Sequence, residues 1–367
     1  MKIRSLITAS AVGALAFAAA FASSPASAEV SFKGKTVTLV VPFKEGGGSD
    51  VVSRLFQPFL QKYLPGNPKV VVYNRPGGAA TKGSNYFERK AKPDGLTAVA
   101  VSTSTMVSQS LGGGKAKVDV RKWRPVFVVP QDTVFYARPE TGVKGKNLAD
   151  DIRALRKNGM VFGAKNAASA ELRGLFTFEL LGIKKVKVVL GLSSGKQRKA
   201  LMRGELNVNY DSAGSFNKKV KKHAKKGKVI PFMTLGIPQP DGSVKKGNVF
   251  PNLPIALDAY AELNGGKKPS GDVFAAWKNI ITMGVSASKG LALPKGTPDD
   301  VHEAWTKAIE MTLKDKGFMS KGRKILGAYP ISLRKDAKAI YVNALTITPE
   351  SEKWMKKWIF NKFGVKI

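Results

Sequence analysis

The sequence predicts an α/β fold in which strands alternate with helices and pair mainly in parallel. Three observations predict it. Apolar, β-branched runs such as Thr36-Val37-Thr38-Leu39-Val40-Val41 have the unbroken hydrophobicity of strands covered on both faces. Each such run is followed by a turn marked by glycine or proline and then by a segment with helical apolar spacing. The chain has 367 residues and no cysteine, so its stability must come from a packed core, and it is long enough for two domains.

The first residues set the compartment. Lys2 and Arg4 precede an apolar, alanine-rich run from Leu6 to Phe21, and Ala26-Ser27-Ala28 supplies a small-x-small cleavage pattern. That order reads as a signal peptide removed after Ala28, and the mature chain is expected outside the cytoplasm. A membrane anchor is the other reading, but the run is short for a bilayer. A lipid anchor would need a cysteine, and none is present.

From there the elements follow in order. After the strand at 36–41 comes the turn Gly46-Gly47-Gly48-Ser49-Asp50. Apolar residues at 51, 55, 59 and 63, and again at 52, 56, 60 and 64, make one broad helical face, with Pro58 expected to kink it. A second strand spans 69–73, the turn Asn74-Arg75-Pro76-Gly77-Gly78 follows, and a helix is predicted from Thr81 to Ala91. Pro93-Asp94-Gly95 turns the chain into a third strand at 96–101. The middle repeats the pattern, with strands at 161–163, 186–190 and 206–210 and helices at 171–181 and 196–203. Helices at 299–313 and 351–360 close the chain.

The formal charge is +35, which favours anionic partners. Export and the scatter of the basic residues argue against nucleic acid. The densest run, Lys218 to Lys228 (KKVKKHAKKGK), reads as a solvated helix end. A polycationic surface protein that binds anionic polymers is a further, non-enzymatic reading.

Several segments bear on chemistry. The turn at 46–50 lets backbone approach a ligand closely, and Ser49 or Asp50 can cap the following helix. The free N–H groups of that helix start suit a carboxylate or a phosphate. A plain connector with an ordinary cap has the same pattern. The nucleotide motifs do not fit here. Gly191-Leu192-Ser193-Ser194-Gly195 matches G-x-S-x-G between a strand and a helix, so a secreted serine hydrolase using Ser193, with Asp211 and then His223 or His302, is the alternative function. Asp211 itself either meets a ligand hydroxyl or amine or caps its turn. With no cysteine and two distant histidines, neither a metal site nor a cofactor is expected.

Taken together, these segments resemble one family. Thr38 to Phe43 followed by Gly46 to Arg54, then Asn74-Arg75-Pro76-Gly77, Pro93-Asp94-Gly95 and finally Leu293 to Pro298 are similar, in order, to the tripartite tricarboxylate transporter receptors, also called Bug proteins. The resemblance implies a non-enzymatic fold of the type II periplasmic binding protein kind: two α/β lobes joined by crossover strands, with the ligand cleft between them. It implies 29–132 plus 283–367 as one lobe and 133–282 as the other, with switches near 132–140 and 272–285. It implies a monomeric periplasmic receptor for a small carboxylate, delivered to a two-component membrane permease. The ligand positions carried over are Phe43, Gly46, Gly47, Gly48, Ser49 and Asp50 in the first turn, and Ser102, Thr103 and Ser104 after the third strand. In the second lobe they are Ala164, Asn166, Ala168, Ser169 and Asp211. The chain departs from the family at Lys44-Glu45, in the loop Ala164-Lys165-Asn166-Ala167-Ala168-Ser169 and in the segment from Gln239 to Val249, and Lys44 and Lys165 either add charge to the site or lie on the surface.

Overall fold

The computed structural model describes residues 30–112, 114–239 and 241–367. The leader over 1–28 and its cleavage point after Ala28 lie outside the described residues. In chain order the first elements are β1 (Thr36–Val41), α1 (Gly48–Tyr63), β2 (Lys69–Asn74), α2 (Thr81–Lys90), β3 (Thr97–Ser102), α3 (Thr103–Leu111) and β4 (Arg124–Val129). Next come β5 (Thr133–Ala137), α4 (Leu148–Asn158), β6 (Met160–Gly163), α5 (Leu172–Leu180), β7 (Val186–Val189), α6 (Ser194–Arg203) and β8 (Val208–Ser212). Then follow α7 (Ala213–Lys219), α8 (Lys221–Lys225), β9 (Ile230–Thr234), β10 (Ile237–Pro238), β11 (Val244–Lys245), α9 (Ala256–Leu263) and α10 (Gly271–Ile281). The last are β12 (Lys289–Leu293), α11 (Asp299–Lys314), α12 (Lys316–Leu326), α13 (Arg334–Ala344) and α14 (Pro349–Phe363).

The strands build two five-stranded sheets, ordered β2-β1-β3-β12-β4 and β7-β6-β8-β5-β9, plus the small pair β10-β11. Within the first sheet β2, β1 and β3 are parallel, whereas β12 is antiparallel to both β3 and β4. The second repeats the arrangement: β7, β6 and β8 are parallel and β5 is antiparallel to β8 and β9. The expectation of mainly parallel sheets is therefore corrected to mixed ones. The reason lies in β5 and β12. Neither arrives by a strand-helix-strand crossover within its own sheet, which is what forces parallel pairing. β5 follows β4 of the other sheet across Pro130-Gln131-Asp132, and β12 returns after α10 and a π-helical turn at Thr282–Ser286.

The core follows from the apolar runs. Val52, Leu55, Phe56 and Leu60 are the buried face of α1, which continues through Pro58 as one helix. Phe56 stacks on Phe127 of β4 at 4.3 Å between ring centroids, worth about 1 kcal/mol beyond the area it buries. Around the second sheet Phe135, Phe162, Phe178 and Tyr210 pack ring against ring, with Phe162 edge-on to Phe178 at 5.2 Å. The last helix, expected beside the first sheet, lies instead against α5 and α10: Phe176 meets Trp354 at 5.4 Å and Trp358 at 5.1 Å. Where the chain crosses between sheets, Gln131 Nε2 donates to the Leu326 carbonyl (2.7 Å) and Gly214 N donates to Gln131 Oε1 (3.4 Å). A Cβ on Gly214 would stand 1.7 Å from the Ile325 carbonyl oxygen, so glycine alone allows α7 and α12 to meet backbone to backbone. Among the described residues no helix is long and apolar enough to cross a membrane.

Candidate functional site

A cavity of about 980 Å³ opens between the two sheets. Its walls are the segments that leave the carboxyl ends of the parallel strands, where ligands of α/β sheets lie. The loop after β1 brings Phe43, Gly46, Gly47, Gly48 and Ser49, and the start of α3 brings Ser102, Thr103 and Ser104. The second sheet supplies Lys165, Arg173, Tyr210 and Asp211, and the G-x-S-x-G loop adds Ser193 and Ser194.

Glycine shapes the first wall. Gly46 has a φ of 72°, which turns the chain sharply into α1. Gly47 caps that helix without a side-chain hydrogen bond, so the amides of its first turn are not taken up by a cap. Gly48 leaves room for the opposite wall: a Cβ there would lie 3.2 Å from Lys289 Cε and 3.2 Å from Ser215 Oγ. α6 likewise begins at Ser193 without a side-chain cap, so its start faces the cavity too.

Asp50, expected among the ligand contacts, does not line the cavity. It is buried beneath the turn, where Oδ2 accepts from Gly46 N (2.9 Å) and Oδ1 accepts from Arg54 Nε (3.0 Å) and Asn74 Nδ2 (3.0 Å). It holds the turn's shape. Ala164, Asn166, Ala168 and Ser169 also stay out of the lining. Asn166 Oδ1 accepts from Ala168 N (3.1 Å), and the Ser169 hydroxyl meets the Glu171 carboxylate (2.5 Å). That loop points its polar atoms inward to brace itself, and Lys165 and Ala170 at its edges reach the cavity instead.

The charges sort into two kinds. Lys165 is ion-paired with buried Glu171, and Arg198 with buried Asp211 at 2.7 Å. Burial pushes the Glu171 carboxyl up, but Lys165, Ser169 and Gln197 together bring it below its usual range. At Asp211 burial wins: its carboxyl is raised despite Arg198 and the hydroxyl of Tyr136, which donates to Oδ2 at 2.9 Å. Arg173 and Lys289 are different. They are 4 % and 7 % exposed, and among the described residues neither has a carboxylate partner. Arg173 Nη1 donates to the Gly284 carbonyl (2.6 Å), its guanidinium lies 4.7 Å from the centre of the Tyr210 ring, and its buried Nε has no acceptor. Lys289 Nζ donates to the carbonyl (2.9 Å) and hydroxyl (3.3 Å) of Ser288. Burial, then Arg173 and Lys165, lower Lys289 to about 7, against the pull of Asp211.

Lys165 and Lys44 do line the cavity. The run at 218–228 is less remote than a solvated helix end, since Lys218, Lys219, Lys222 and His223 reach the rim. Arg173 and Lys289 were not singled out from the sequence. Their signal was a lone charge inside an apolar segment, Leu172-Arg173-Gly174-Leu175-Phe176 and Ser288-Lys289-Gly290-Leu291.

Among the described residues the hydrolase arrangement is not assembled: no hydrogen bond joins Asp211 to His223 or His302, or either histidine to Ser193. Ser193 has an extended backbone (φ −63°, ψ 157°) rather than the strained turn of a nucleophile elbow. Asp211 is occupied by Arg198 and Tyr136, and His302 Nε2 bonds the Pro125 carbonyl (2.9 Å) away from the cavity. Among the described residues no group of three potential ligands is placed to hold a metal ion.

No family model matches the chain. A protein of Agrobacterium vitis, the UPF0065 protein in the TAR-I ttuE-ttuC' intergenic region, is 23% identical over 310 residues, covering 84% of this chain and 79% of that protein. The crystal structure of a TctC solute binding protein from Polaromonas superposes with a TM-score of 0.58 at 17% identity, over 91% of this chain and all of that one. MatC from Rhodopseudomonas palustris, solved with bound malate, gives 0.63 at 21% identity, over 87% of this chain and 97% of that one. The resemblance carried by the motifs from Thr38 to Pro298 is thus matched in three dimensions, and the chain has the two-sheet α/β fold of the TctC and Bug periplasmic solute-binding proteins.

Proposed function

We propose that this chain is a periplasmic receptor that captures a small organic carboxylate and delivers it to a two-component membrane permease. One observation carries the reading: Arg173 and Lys289 are buried at the cavity between the sheets, and among the described residues neither has an acid partner. A buried charge left unpaired is costly, and a bound anion is what removes that cost. Neutral donors line the same cavity, from the uncapped start of α1 to the hydroxyl of Ser215. The malate in MatC supports the ligand class by likeness of fold.

In this reading Phe43, Gly46 to Ser49, Ser102 to Ser104 and Asp211 form the walls. Asp50, Ala164, Asn166, Ala168 and Ser169 keep their loops in shape. The lobes at 29–132 plus 283–348 and at 133–282, the second joined by α14, close on the ligand about the crossings near Gln131 and Ser286. The protein acts as a monomer, without a cofactor and without catalysis.

A thermal-shift screen of the purified protein tests it. A carboxylate at a hundred times its Kd should stabilise the fold by about 2.7 kcal/mol. A shift with neutral sugars alone, and none with any carboxylate, overturns the proposal. Ester hydrolysis lost in Ser193→Ala would support the hydrolase reading instead.

A further inference from the structure

We propose that the lysine-rich face of α6, α7 and α8 docks this protein on a membrane surface of anionic phospholipid. The inference goes beyond the receptor reading and rests on it for one point, that a receptor serving a permease works beside a membrane.

Between 194 and 228 the chain carries nine lysines. Lys196 and Lys199 stand on α6, Lys218 and Lys219 on α7, and five more from Lys221 to Lys228 on and after α8. All nine are exposed. The two acids of the segment are both taken, Asp211 by Arg198 and Glu205 by Arg203, and among the described residues none of the nine lysines is in an ion pair. The three helices bring this charge together: Lys196, Lys199, Lys218, Lys219 and Lys222 all border the mouth of the same cavity. Their field is felt at His223, where burial first and then Lys222, Lys228 and Lys226 hold the imidazole below its usual range. Like charges gathered this closely repel one another, and a surface of many negative charges relieves that repulsion.

Two observations choose a lipid surface over an acidic protein or a soluble polyanion. The face lacks the anchors of a protein interface, whose centre is rich in aromatic residues and arginine and poor in lysine. Between 194 and 228 the aromatic residues, Tyr210 and Phe216, are buried, and both arginines are committed to the acids of the segment. The face also continues into a crevice of about 300 Å³ between α1, α7 and α12, where Lys218, Lys219 and Lys321 share the walls with Leu55, Phe59 and Ile325. Ammonium groups beside an apolar wall suit a phosphate with hydrocarbon behind it. A soluble polyanion has nothing to place against that wall.

Co-sedimentation tests this with phosphatidylcholine vesicles, with and without phosphatidylglycerol, at physiological ionic strength. Fields then decay over about 8 Å, so only lysines on the contact face should count. The wild type is compared with Lys221→Gln/Lys225→Gln/Lys226→Gln/Lys228→Gln and with a variant that loses the same charge elsewhere, Lys267→Gln/Lys268→Gln/Lys353→Gln/Lys357→Gln. All eight lysines are exposed and none of them lines the cavity. The wild type should sediment with the phosphatidylglycerol vesicles and not with the neutral ones. The face variant should bind about tenfold or more weakly, and the second variant within about twofold of the wild type. No binding of the wild type to anionic vesicles, or equal weakening in the two variants, overturns the proposal. Retention on heparin without vesicle binding overturns it too, in favour of a face for soluble polyanions. Each of these results leaves the receptor reading standing, whereas vesicle binding by a protein that captures no carboxylate overturns that reading alone. Melting temperatures equal to that of the wild type show that the variants are folded.

Discussion

Replacing Lys289 by methionine should stabilise the empty protein at neutral pH. The charged form of Lys289 is held down from 10.5 to about 7 by burial and by its neighbours Arg173 and Lys165. At about 1.4 kcal/mol for each pH unit, that is a cost of about 5 kcal/mol at low pH and about 4 kcal/mol at pH 7. The sign follows from proton binding. A lysine with a lowered native-state pKa binds protons less readily when folded, so the cost is full below about 7 and fades as the pH rises from 7 towards 10.5. Methionine keeps the apolar stem and loses the bonds to the carbonyl and hydroxyl of Ser288, at about 1 kcal/mol each. The balance is a gain of about 2 kcal/mol at pH 7 that turns into a loss of about 1 kcal/mol at pH 10. Urea unfolding of ligand-free wild type and Lys289→Met at both pH values measures it. A variant less stable than wild type at pH 7, or a difference that does not change with pH, refutes the reasoning.

Three further outcomes follow from the same geometry. Gly48→Ala should keep the fold, since Gly48 begins a helix with ordinary dihedrals, but its Cβ meets Lys289 Cε at 3.2 Å, and calorimetry should find ligand affinity reduced about tenfold. Asp50→Ala removes the acceptor shared by Gly46, Arg54 and Asn74, and chemical unfolding should show a loss of about 2 kcal/mol. Anion binding restores the charged form of Lys289, so titrations at pH 8 in buffers of different ionisation heat should reveal proton uptake, absent in Lys289→Met.

Much of the fold was readable because the parallel strands carry continuous apolar runs. Thr36–Val41, Lys69–Asn74 and Thr97–Ser102 fall within a residue or so of their predicted limits. β12 was not singled out, because Lys289 and Gly290 interrupt its pattern, and the sheets were misjudged as mainly parallel, because periodicity says nothing about which body a strand enters from. Within the site, the glycine turn and the serines at 102 and 104 were visible as motifs. Ser169 and Asn166 looked equally polar in sequence, yet they spend their hydrogen bonds on their own loop. Arg173 and Lys289 went unseen because a charge in an apolar segment does not reveal which partner it lacks. Only the fold shows that Glu171 and Asp211 are taken by Lys165 and Arg198.

The central claim is that the cavity between the sheets takes a carboxylate through Arg173. Equilibrium dialysis of the protein against a mixture of organic carboxylates, amino acids and sugars, with mass spectrometry of the retained solutes, tests it most directly. The account predicts that the wild type retains a carboxylate at close to one per chain and that Arg173→Met loses it. Retention of neutral solutes alone, or equal retention of the carboxylate by the variant, would contradict it.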